Sequence, residues 1–136
     1  MKRHYTKQLK KKKQLPIIKY LTSLPGIYLT IKNRENKTFL HLAAESSKNE
    51  TIMNHFLSLN QIPVDAKDND GRTVLLYACK GASLNLIKIL VKRHDIDVTA
   101  TDCKGMNILL IACESVEDID IIRFIVMLYS ITLFVL

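Results

Sequence analysis

The sequence predicts an all-α chain of stacked helical hairpins. Three observations lead there. A twelve-residue segment recurs at a spacing of 34 to 35 residues. Each copy is followed by a second apolar stretch at helical period. Gly and Pro number four and three among 136 residues, too few for the many tight turns of an all-β sandwich.

Taken in order, the chain opens on a basic stretch. Residues 1–34 hold ten Lys or Arg and no Asp or Glu, whereas residues 35–136 hold ten against thirteen, a sum of −3. The net charge of +7 therefore belongs to the N-terminal arm, and the body is mildly acidic. Residues 1–15 read as a basic flexible arm, with Lys7–Gln14 a frayed helix or part of that arm. Within it, Lys10, Lys11, Lys12 and Lys13 fit an importin contact or an anionic surface, and equally a solvated tail. Specific nucleic-acid binding is not expected, because the folded part shows no clustered positive charge and only Tyr5 interleaves with the lysines.

Residues 16–32 read as half a hairpin. Pro16–Leu24 suits a helix with Pro16 in its first turn, with Ile17, Ile18, Tyr20, Leu21 and Leu24 as its apolar contacts and Pro25-Gly26 as its stop. Three full copies follow, over 33–67, 68–101 and 102–127. Asp68-Asn69-Asp70-Gly71-Arg72-Thr73-Val74-Leu75-Leu76-Tyr77-Ala78-Cys79 aligns with Asp102 to Cys113 and with Asn33 to Ala44. Asp68 and Gly71 make a turn, with Gly tolerating positive φ. Thr73 is placed to cap the first helix. Leu75, Ala78 and Cys79 share one face, and the small Ala-Cys pair lets a neighbouring helix approach closely. Leu84, Ile87, Leu90 and Val91 stripe the second helix, Asn85, Lys88 and Lys92 take its other side, and Gly81-Ala82 joins the two. The other second segments are Thr51–Leu59 and Ile119–Met127. Neither helix buries its stripe alone, so copies must stack.

The recurring Asp-x-x-Gly-x-Thr-x-Leu-x-x-Ala frame resembles the ankyrin repeat family. Thr38-Phe39-Leu40-His41-Leu42-Ala43-Ala44 is similar to its T-P-L-H-x-A-A signature, with Phe39 in the Pro position. The later copies depart from it: Val74 and Ile108 replace Pro, and Leu76 and Leu110 replace His. The resemblance covers roughly residues 16–127 and implies an ankyrin-type α-solenoid of helix-turn-helix hairpins with short turn fingers. It also implies that His41 hydrogen-bonds between adjacent repeats.

Residues 128–136 break the pattern. Where the second copy has a polar loop, His94 to Asp102, the third reads Leu128-Tyr129-Ser130-Ile131-Thr132-Leu133-Phe134-Val135-Leu136. Three readings stand for this apolar tail: an open stacking surface of a truncated longer array, a partner-covered or self-associating edge, or a membrane contact. As a helix, Phe124–Leu136 spans about 20 Å, short of the roughly 30 Å of a bilayer core. Starting from Ile119 adds length but brings in Asp120 and Arg123.

Enzyme signatures are absent: there is no GxGxxG, P-loop, HExxH or GxSxG. No catalytic residue, metal or cofactor is expected. His4, His41, His55 and His94 share no close pairing, and His94-Asp95 reads as a solvated loop pair. Cys79 and Cys113 occupy one repeat position and read as core packing rather than a metal pair. Cys103 falls in a turn and reads as exposed. Asp95, Asp97 and Asp102 lack the EF-hand spacing, and Asp102 reads as a turn residue. Three cysteines without a CxxC, and lysines where a signal peptide needs an apolar run, point to an intracellular, cytoplasmic or nuclear protein.

By resemblance, the function is non-catalytic protein binding on a concave face. The alternatives are a membrane-tethered adaptor and a fragment of a longer repeat protein. The turn-tip candidates are Arg34, Glu35, Lys37, Asn69, Asp70, Arg72, Cys103, Lys104 and Met106. The inner-helix candidates are Glu45, Ser46, Lys80, Glu114 and Ser115. Arg72 leads them, being central and able to make a bidentate contact.

Overall fold

The computed structural model describes residues 14–47 and 50–135. The readings on Lys7–Lys13, including the Lys10–Lys13 run, lie outside the described residues, as do the side chains of Ser46 and of 132–136. The described residues form helices and turns with no β-strand. Helix α1 covers 14–23. Helix α2 is Phe39–Leu42, continued by a π-helical turn over Ala43–Ser47. Then come α3, Glu50–Ser58; α4, Val74–Lys80; α5, Leu84–Val91; α6, Ile108–Ser115; and α7, Ile119–Val135.

Local chemistry sets the helix starts. Thr38 and Thr73 sit in extended backbone and accept the His41 and Leu76 amides on their hydroxyls, as N-caps do. Asn107 does the same for the Leu110 amide at 2.9 Å, and Ser83 caps α5. Ala82, at φ +55°, reverses the chain between α4 and α5. Gly26, at φ +85°, ends the turn after α1.

The helices stack in two columns. Helices α2, α4 and α6 form the inner column, and α1, α3, α5 and α7 the outer one. In the middle repeat every residue from Val74 to Cys79 is buried, because α4 has α2 on one side, α6 on the other and α5 behind. Ala78 and Cys79 are fully buried, and the Cys79 thiol donates to the Ile108 carbonyl at 3.3 Å. Burial pushes that thiol up to about 11. One core runs through the stack, from Leu29 and Leu40 to Ile121 and Ile125.

Two expectations are corrected. Ile17, Ile18, Tyr20, Leu21 and Leu24 are expected to supply apolar contacts, but of these five only Ile18 is half-buried and the others are exposed, while Leu15 of α1 also packs partly on the core. Helix α1 rests on α3, with the Thr22 hydroxyl 2.8 Å from His55 Nε2, and no inner helix accompanies it among the described residues. Cys113 is exposed rather than core-packed, because α6 covers Cys79 and no described helix stands at the same place against Cys113. The apolar stretch after Met127 is helical, as α7 continues to Val135. Tyr129 anchors this extension through its hydroxyl, which donates to the Val98 carbonyl at 3.2 Å.

Candidate protein-binding groove

The site begins with the turns before each inner helix. Asn33 Oδ1 accepts the Glu35 and Lys37 amides at 3.0 and 2.9 Å. Asp68 Oδ1 accepts those of Asp70 and Arg72 at 3.0 and 2.8 Å. Asp102 Oδ1 accepts those of Lys104 and Met106, both at 2.9 Å. A short acceptor two residues upstream of its donor makes this turn. The fourth residue of each turn takes positive φ: Asn36 at 66°, Gly71 at 73° and Gly105 at 75°.

These fingers are laced to one another. The Asn69 amide donates to the Glu35 carbonyl, and the Cys103 amide to the Asp70 carbonyl, both at 2.9 Å. Gly71 sits where the lacing is tightest: a Cβ there would lie 2.8 Å from the Cys103 nitrogen. His41 adds a second tie between repeats. Its Nδ1 accepts the Thr38 amide at 3.0 Å, and its Nε2 donates to the Arg72 carbonyl at 3.0 Å, so the ring is held neutral. Burial lowers its pKa, more than the bond to the Arg72 carbonyl raises it.

Tyr77 organises the charges behind the fingers. Its hydroxyl donates to Asp68 Oδ2. Burial pulls the Asp68 carboxyl upward, but the bonds from Tyr77 and from the Arg72 and Asp70 amides bring it below the usual range. The Arg72 guanidinium lies 5.7 Å from the Tyr77 ring and its Nε 3.8 Å from Asp102 Oδ2. Lys37 Nζ stands 5.2 Å from the same ring and bridges Glu35 and Glu45 at 2.7 and 2.8 Å.

In front of this frame lies a groove of about 260 Å³, lined by Arg72, Lys80, Asp102, Lys104, Met106, Ile111, Glu114 and Ser115. A neighbouring hollow of about 230 Å³ is lined by Glu45, Arg72, Tyr77, Lys80 and Gly81. The two share Arg72 and Lys80. Many of the residues singled out from the sequence thus converge on one surface. The tip residues Arg34, Glu35, Asn69, Asp70, Cys103 and Lys104 are exposed on the fingers, and Asn69 Nδ2 donates to the Arg34 carbonyl at 3.1 Å. Arg72 and Lys37 differ from the rest. Their side chains are only 22% and 11% exposed, so both are engaged first by this protein's own groups. Sequence reasoning missed Tyr77, Asp102 and Ile111 as groove residues. Tyr77 carries a signal, as the aromatic at a repeat position that is Leu42 and Ile111 in the other copies.

A family model described as ankyrin repeats, in three copies, matches residues 40–133. The chain belongs to the ankyrin repeat family. It is 32% identical over 100 residues to an ankyrin repeat protein of Acanthamoeba polyphaga mimivirus, a match covering 68% of this chain and 10% of that protein. It is 35% identical over 78 residues to a UPF0507 protein of Yarrowia lipolytica, covering 57% and 7%. The chain thus spans a tenth or less of the length of these relatives. Ankyrin repeats are generally protein–protein interaction modules and are typically non-enzymatic. Among the described residues no helix is long and apolar enough to cross a membrane.

Proposed function

We propose that this chain binds a protein partner across the groove between its fingers and its inner helices. The carrying observation is the convergence of Lys80, Lys104, Met106, Ile111 and Glu114 on one hollow. No ion pair engages Lys80, Lys104 or Glu114 among the described residues. Their charges are therefore free for a partner, beside the apolar surface of Met106 and Ile111. That combination of an apolar floor and uncommitted charge suits a specific interface. Arg72 serves this surface by bracing it, through Tyr77 and Asp102.

The test is quantitative capture from a cell extract on immobilised chain. Wild type is compared with Lys80→Glu plus Lys104→Glu, and with Lys92→Glu at the C-cap of the outer helix α5. The groove variant is expected to lose proteins that wild type and the outer-helix control both retain, with circular dichroism unchanged. Equal capture by all three would remove the groove from the account.

A further inference from the structure

The repeat register shows where the groove departs from its own pattern. In the first copy the finger residue Lys37 and the helix-end residue Glu45 form an ion pair, Nζ and Oε2 lying 2.8 Å apart. One period on, the same two positions hold Arg72 and Lys80, and one period further Met106 and Glu114. The middle copy thus has two cations where the first has a cation and a carboxylate. Both cations line each of the two hollows.

Among the described residues neither cation is fully answered. Asp102 Oδ2 stands 3.8 Å from Arg72 Nε, beyond hydrogen-bond reach. The other Asp102 oxygen already accepts the Lys104 and Met106 amides. Arg72 Nε itself is buried with no hydrogen-bond partner, and no ion pair engages Lys80. Glu45 lines one hollow beside both cations, but Lys37 holds it. Glu114 lines the other hollow unpaired, and Lys104 adds a third cation to that wall.

Like charges on one wall raise each other's energy, and an entering carboxylate lowers that of both. We infer that the partner meets this groove with an acidic peptide segment. An Asp or Glu side chain of that segment stands against Arg72 and Lys80, as Glu45 stands against Lys37 in the first copy. An apolar neighbour on the same segment rests on Met106 and Ile111, which line the same hollow. A basic segment would meet three cations and a single free acid, Glu114, so complementarity selects against it. This rests on the groove as the binding site and adds the chemistry of its occupant.

A phage-displayed library of random peptides is the probe. Wild type is expected to recover peptides with Asp or Glu next to Leu, Ile or Phe, a preference lost on the Lys80→Glu plus Lys104→Glu chain. Fluorescence anisotropy on the tightest synthetic peptide then closes a double-mutant cycle. Changing the acid of the peptide to its amide should weaken binding to wild type about two- to fivefold, the range of an exposed ion pair. The same change should leave binding to Lys80→Gln unaltered. Lys80 is exposed at the last position of α4, so this substitution leaves the core alone. Recovery of peptides without an acidic preference would overturn the inference. So would no recovery above an unrelated bait, or an acid whose removal weakens wild type and Lys80→Gln alike. Extract capture keeps the two proposals apart: proteins lost on the groove variant, together with peptides lacking acid, would keep the groove and remove the carboxylate.

Discussion

Gly71 and Gly105 occupy one repeat position with nearly the same positive φ, yet their surroundings differ. A Cβ at Gly71 meets the backbone of the next finger, whereas one at Gly105 meets nothing within 4 Å. Gly105→Ala carries only the left-handed penalty of about 1–2 kcal/mol. Gly71→Ala adds a clash with backbone that is itself laced by hydrogen bonds, so it should cost clearly more. Urea unfolding of both variants checks the order. At His41 the sign of the pH effect follows from burial. The native ring resists protonation, so below the unfolded value of about 6.5 the unfolded chain binds a proton that the native chain does not. Stability should therefore fall as pH drops from about 6.5 toward the lowered native value. His41→Leu, the residue type found at positions 76 and 110, should flatten that slope in thermal melts across the same window.

At the scale of the element, burial follows from a helix's place in the stack more than from its own sequence. Helices α4 and α6 read almost alike, as Val-Leu-Leu-Tyr-Ala-Cys and Ile-Leu-Leu-Ile-Ala-Cys, yet only α4 is buried all round. Leu76→Ala should accordingly cost about 2–5 kcal/mol, the range for a cavity in a packed core. Leu110→Ala, at the same repeat position but half-exposed, should cost much less. Guanidinium titrations of both variants compare the two directly. The start of α4 and its joint to α5 were legible in the sequence because Thr73 and Gly81-Ala82 are local signals. The length of α7 was not. A loop stands at the corresponding place in the second copy, but Leu128 to Val135 contain no Gly, Pro or capping residue that would stop a helix.

For the whole molecule, the proposed binding surface lies on one side of the stack. The side between the fingers and the inner helices presents Lys80, Lys104 and Glu114 beside Met106 and Ile111. The finger tips and inner-helix positions were legible because the repeat phase assigns each residue an equivalent in the other copies. Tyr77 and Asp102 were not, because their role comes from facing Arg72, Tyr77 from its own repeat and Asp102 from the next.

The sequence by itself determined the hairpin unit, its period, its caps and its turns, since these depend on neighbours within about a dozen residues. Tertiary structure alone decided which equivalent positions are covered. Cys79 and Cys113, or Leu76 and Leu110, are the same in local sequence and opposite in burial, because stacking supplies a neighbour to one and not to the other. The same long-range packing folded Arg72 and Lys37 back onto Tyr77, making braces of two residues whose charge and turn position alone suggested free contacts.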